Sequence, residues 1–145
     1  MIELAIEVAV KAHQNQFRKG IDIPYIIHPL AVGIILAKEN CSDEVIIAGI
    51  LHDTVEDTSI TLDDIRKKFS EKVAWIVEGA SEPDKSLPWE DRKRHTLEFL
   101  KREEVTPEIK FVMLADKLHN IRSIKADYVE GDETFWNRFK EGKEK

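Results

Sequence analysis

Ser42-Asp43-Glu44-Val45-Ile46-Ile47-Ala48-Gly49-Ile50-Leu51-His52-Asp53 is the stretch on which the reading of this chain turns. Ser42 followed by two acids opens a helix. Through Val45, Ile46, Ala48, Gly49, Ile50 and Leu51 that helix is apolar nearly all round, which predicts an element buried on every side at the centre of the fold. His52 and Asp53 arrive at its end. A carboxylate at the end of an apolar helix needs a counter-charge, and a cation supplies one.

Working outward, apolar residues recur at spacings of three and four rather than two, so helix follows helix and the expected class is all-α. The first helix is expected from about Ile2 to Gln16. A second opens at His28-Pro29, where the missing proline N–H costs nothing in a first turn, and continues through Leu30, Val32, Ile35 and Leu36. Thr61-Leu62-Asp63-Asp64 resembles a capping box, with Asp in place of the usual Glu or Gln, and starts a short helix ending near Phe69. Further helices are expected from Glu71 to Ser81, from Trp89 to Arg102 after a loop at Glu82 to Pro88, and from Pro107 onward through Asp116 and Asn120. A last amphipathic segment follows Gly131 and holds Phe135, Trp136 and Phe139. Trp75, Trp89 and Trp136 read as packing residues.

The 145 residues, 42% hydrophobic and 34% charged, suit a single domain over 1–145 with a real core. A net charge of −6 speaks against a nucleic-acid backbone as partner; an anionic substrate must be met by a local basic cluster or by a metal. No apolar run is long enough for a membrane span, and the N-terminal segment, with Glu3 and Glu7 and no basic head, reads as an amphipathic helix rather than a secretory signal. The lone Cys41 excludes an internal disulfide and leaves too little sulfur for a structural zinc site, so a reducing cytoplasm is the expected home. The sequence does not speak to the oligomeric state.

His28, His52, Asp53 and Asp116 together read as one metal site, because imidazole and carboxylate suit a borderline-to-hard divalent ion and can converge from separate helices. Taken alone, His28 reads first as a capping or packing histidine, and the alternative for Asp116 is a salt bridge to Lys117 or Arg122. Glu56 and Asp57 stand at i+3 and i+4 from Asp53, on the same face if the helix persists. There they are candidates to position or deprotonate a water, the alternative being a solvated acidic helix end. Asn120, at i+4 from Asp116, is placed to touch substrate or ligand. Arg18-Lys19 and Arg92-Lys93-Arg94 are compact basic clusters able to meet phosphate, or simply solvated.

Four runs carry a family resemblance: Ala12-His-Gln-Asn-Gln-Phe-Arg-Lys-Gly20, Pro24-Tyr-Ile-Ile-His-Pro29, Leu51-His-Asp-Thr-Val-Glu-Asp-Thr58 and Leu114-Ala-Asp-Lys-Leu-His-Asn-Ile-Arg122. In order over roughly the first 125 residues they resemble the HD-domain hydrolases of the RelA/SpoT type, most of all the small stand-alone members similar to the metazoan SpoT homologue. The resemblance implies a helical bundle around a single Mn²⁺ and removal of pyrophosphate from the 3′ position of the alarmone ppGpp, leaving GDP. It implies that His28, His52, Asp53 and Asp116 hold the ion and that Glu56 and Asp57 orient and activate the attacking water. It also implies that Arg18 and Lys19 pack on the guanine and its phosphates, that Tyr25 frames the pocket, that Asn120 contacts substrate and that Arg92, Lys93 and Arg94 approach the diphosphates. With no synthetase region, hydrolysis without alarmone synthesis is expected. The segment after Lys125 departs from the alarmone hydrolases and the chain is short at its C-terminus relative to them. That departure leaves two further readings, a general HD phosphohydrolase acting on another nucleotide or phosphomonoester, and a non-catalytic ligand-binding module.

Overall fold

In the computed structural model, which describes residues 1–18, 21–81, 88–101 and 106–127, the chain forms α1 (Ile2–Ala12), α2 (Ile27–Lys38), α3 (Asp43–Leu51), α4 (Thr54–Asp57), α5 (Leu62–Lys68), α6 (Glu71–Ala80), α7 (Trp89–Lys101) and α8 (Pro107–Asp127). Among the described residues the fold is all-α; the nearest thing to a strand is one isolated bridge between Phe17 and Pro24. As its composition requires, α3 is the centre. Every residue from Val45 to Leu51 is buried, and α3 packs against α1, α2, α6 and α8. Lys19, the 82–87 loop and the Phe135, Trp136 and Phe139 segment lie outside the described residues.

Local chemistry sets the helix ends. Ser42 and Ser70 cap α3 and α6, their hydroxyls accepting from the Val45 and Val73 amides. The capping box at α5 forms with Asp: the Thr61 hydroxyl accepts from the Asp64 N–H at 3.1 Å and the Asp64 carboxylate from the Thr61 N–H at 3.0 Å. Asn40, with φ of 58°, ends α2 in the left-handed conformation. The Cys41 and Asn40 amides then reach back to the Leu36 and Ala37 carbonyls, satisfying groups a helix end leaves orphaned.

One expectation is corrected and one is narrowed. The first helix stops at Ala12 rather than Gln16, because the His13 ring bonds the Gln16 side chain at 2.9 Å and Asn15 turns left-handed at φ 65°. The chain then folds back on itself, the Arg18 amide reaching the Ile23 carbonyl and the Tyr25 amide the Gln16 carbonyl, which puts Arg18 in a turn beside the start of α2. Trp75 and Trp89, read as packing residues, pack along only part of their surface, being 46% and 38% exposed. The buried face of α6 is Val73, Ala74, Ile76 and Val77, and Trp75 falls off it.

The approach of α2 to α3 positions the site, and two glycines permit it. A Cβ on Gly33 would stand 2.7 Å from Ile50 Cγ1; one on Gly49 would stand 2.4 Å from Leu36 Cδ1 and 3.3 Å from Val32 Cγ1. Those neighbours are themselves buried, so little room exists to yield. Gly33→Val is expected to destabilise the protein by about 1–3 kcal/mol, outweighing the helix propensity it gains, as read by urea unfolding.

Candidate metal centre

His28 lies in the first turn of α2, His52 caps the C-terminus of α3, Asp53 precedes α4, and Asp116 comes from the middle of α8. Three stretches far apart in sequence, with His52 and Asp53 adjacent in the middle one, thus bring two imidazoles and two carboxylates together. Each offers one donor atom, and these atoms all lie within 4.8 Å of one another. His28, His52 and Asp53 are buried and Asp116 nearly so. The Asp116 Oδ1 oxygen lies 2.7 Å from His28 Nε2 and 3.1 Å from His52 Nε2; Asp53 Oδ1 lies 3.1 Å from His52 Nε2.

Each ring is aimed by its other nitrogen. His52 Nδ1 donates to the Gly49 carbonyl at 2.6 Å, leaving Nε2 to face the carboxylates. His28 Nδ1 meets His119 Nδ1 at 2.7 Å. The carboxylates are held too. Tyr25 donates its hydroxyl to Asp53 Oδ2 at 2.6 Å, and Lys117 Nζ stands 3.6 Å from Asp116 Oδ2. Burial and then the Asp53 charge push the Tyr25 phenol well above the ordinary tyrosine range, so it remains a donor. Two imidazoles with Nε2 turned inward and two carboxylates on hydrogen-bonded stems form a donor set that fits a divalent transition-metal ion.

The electrostatics agree. Burial alone would lower the His52 pKa, but Asp53, Asp116 and the Gly49 carbonyl outweigh it and push it up to about 10. Burial disfavours the Asp116 charge, yet hydrogen bonds from His28 and His52 hold its carboxyl well below the usual carboxylate range. These groups therefore concentrate negative charge that calls for positive charge, from protons or from a cation.

Around this centre, Asp53, Glu56 and Asp57 form a second acidic group whose oxygens also lie within 4.8 Å of one another, Glu56 half-buried and Asp57 exposed. Although α4 is separate from α3, the Asp57 amide bonds the Asp53 carbonyl at 3.0 Å, so the i+4 relation expected from the sequence is realised. Gln16 Nε2 donates to the Asp57 carbonyl at 3.1 Å and ties the Arg18 turn to α4. Arg18 Nη2 reaches Asn120 Oδ1 at 3.4 Å, joining two residues that stand 102 positions apart. On α7, Lys93 Nζ lies 5.7 Å over the Trp89 ring, while Arg94 is exposed and 3.4 Å from Asp91 of its own helix. Arg92 is half-buried on the same helix. His119 is the participant that sequence reasoning missed. At i+3 from Asp116 it shares the inward face of α8, and that spacing was the available signal.

Comparison with known proteins gives a consistent picture. The family model described as HD domain matches residues 5–136. A guanosine-3′,5′-bis(diphosphate) 3′-pyrophosphohydrolase, MESH1, of Danio rerio is 40% identical over 129 residues, covering 87% of this chain and 70% of its own. A GTP pyrophosphokinase of Streptomyces coelicolor is 40% identical over 125 residues, 86% of this chain; the chain spans only 15% of that protein's length. A solved structure of a metazoan ortholog of SpoT that hydrolyzes ppGpp matches with a TM-score of 0.78 at 31% identity, over 99% of this chain and 82% of the other.

The charge balance sets a pH dependence. His52 has a folded pKa raised above its ordinary 6.5, so its contribution to stability is complete below about pH 6.5 and is lost as pH rises through about 10. Asp116 has a lowered folded pKa, so its contribution is present above its ordinary 3.8 and is lost in acid. Thermal melts of chelator-treated protein should therefore fall in midpoint between about pH 6.5 and 10. With a divalent ion added, this basic limb should flatten, because the ion replaces the proton.

Proposed function

The chain belongs to the HD domain family, and on that premise we propose that it is a metal-dependent pyrophosphohydrolase that removes the 3′-pyrophosphate of guanosine 3′,5′-bis(diphosphate), leaving GDP. The observation that carries the proposal is the convergence of His28, His52, Asp53 and Asp116 on one point, with Glu56 and Asp57 grouped about the same Asp53. The names of the relatives support the substrate: the MESH1 proteins of Danio rerio and Homo sapiens both bear that activity in theirs.

In this reading His28, His52, Asp53 and Asp116 hold the ion, which we assign as Mn²⁺; two imidazoles and two carboxylates also suit Fe, Co, Ni or Zn. When bound, the ion screens phosphoryl charge and makes water more acidic. Glu56 and Asp57 orient the attacking water and take its proton. Water adds to the phosphorus attached at the ribose 3′ oxygen, that P–O bond breaks, and the ribose oxygen leaves with a proton as pyrophosphate departs. Arg18 and Lys19 meet the guanine and its phosphates, Asn120 holds Arg18 and the substrate, Tyr25 frames the pocket through Asp53, and Arg92, Lys93 and Arg94 approach the diphosphates.

A single domain working in the cytoplasm on a small nucleotide completes the proposal. A net charge of −6 supports a small anionic substrate met by local cations over a nucleic acid. Among the described residues, no helix is long and apolar enough to cross a membrane.

Purified protein loaded with Mn²⁺ should convert ppGpp to GDP and pyrophosphate while leaving GTP, GMP and a generic phosphomonoester intact, as resolved by ion-exchange chromatography. Orthophosphate from those other compounds, with ppGpp untouched, would move the chain to the general phosphohydrolases. Asp53→Ala should lose ion and turnover together. Glu56→Ala and Asp57→Ala should keep the ion by elemental analysis while slowing kcat by about 10²–10⁴-fold; ion loss in those two variants would overturn the division of roles.

A further inference from the structure

We propose that His119 is a positioning residue that fixes the tautomer and aim of His28, and so sets how tightly the centre holds its cation. The inference rests on the metal-binding reading above and goes beyond it, because His119 is not among the four ligands.

A histidine that ligates through Nε2 must carry its proton on Nδ1, and that proton needs an acceptor when the ring is buried. His28 is 1% exposed, and its Nε2 faces Asp116 at 2.7 Å. Its Nδ1 lies 2.7 Å from His119 Nδ1. The two ring centroids are 4.9 Å apart with planes inclined by 27°. That separation exceeds the nitrogen–nitrogen distance by about two ring radii, so the rings meet edge to edge and nearly coplanar, as a hydrogen bond between ring nitrogens requires. With a cation on His28 Nε2, His119 Nδ1 is the acceptor and its own proton sits on Nε2, which faces Ser123 Oγ at 3.4 Å. The sequence of donors runs from His28 through His119 to Ser123.

The two histidine ligands are consequently held by different means. His52 leans on the Gly49 main-chain carbonyl, which no side-chain substitution removes. His28 leans on a side chain, and on a neutral ring instead of the carboxylate or carbonyl usual for such partners. His119 is carried by the same helix as Asp116, one turn further on, so a single rigid element supplies both the ligand and the group that aims its neighbour.

The test is cation affinity, measured by competition of Mn²⁺ and Co²⁺ with a chelating dye, together with the visible absorption of the Co²⁺-loaded protein. His119→Phe keeps a ring but loses the acceptor; it should weaken binding by about 10–100-fold and alter the Co²⁺ bands. His119→Asn places Oδ1 at the same distance along the side chain as the lost Nδ1, and should restore affinity and spectrum toward wild type. Circular dichroism and thermal melts of the chelator-treated variants confirm that both fold. Wild-type affinity in His119→Phe, with His28→Ala unable to bind, would overturn the inference while leaving the metal-binding reading intact. Equal weakening in His119→Phe and His119→Asn would overturn it as well, since bulk packing and not an acceptor would then be at stake. Failure of the wild-type protein to bind either ion would overturn both.

Discussion

The nearly buried Asp116 carboxylate is the constraint on which the site depends. One of its oxygens faces His28 Nε2 at 2.7 Å and His52 Nε2 at 3.1 Å, so a single anion joins the start of α2, the end of α3 and the middle of α8. An unpaired carboxylate at that depth would cost several kcal/mol. Everything around it works to avoid that cost. The glycine contacts let α2 and α3 approach closely enough for both imidazoles to reach, and Lys117 stands on the outer oxygen. Tyr25 meanwhile restrains Asp53, the second carboxylate, which would otherwise repel the first.

Much of this could be read from residues alone, because the strongest signals are local. An apolar stretch of the length of Val45–Leu51 with no polar face can only be central, and whatever ends it is delivered to the interior; His52 and Asp53 follow from that. Helix caps at Ser42 and Thr61 are likewise short-range chemistry, written in three or four consecutive residues. The i+4 link from Asp53 to Asp57 survived even though the helix did not continue, since α4 supplies one fresh turn with the same hydrogen bond.

What was not legible depends on partners remote in sequence. The end of α1 is decided by His13 closing on Gln16 and by a loop that returns to pair Arg18 with Ile23, neither of which disturbs apolar periodicity. Trp75, read as a packing residue, is half-exposed because it falls off the buried face of α6. His119 escaped notice for a related reason. Its partner lies 91 positions earlier, and its i+3 spacing from Asp116 is the one mark the sequence carries. Its fit to the site is a matter of angle around α8, visible only once His28 had been placed.

The separation of the ligands along the chain has a further consequence. His28 and Asp116 stand 88 residues apart, and His52 and Asp116 64 apart. A cation coordinated by all of them closes two long loops at once, in a protein whose lone cysteine can form no internal disulfide. Such a closure ties the folded chain together reversibly, because the ion binds the native arrangement and not the unfolded one, at a strength set by the free-ion concentration. The ion would then contribute to the stability of the fold as well as to its chemistry.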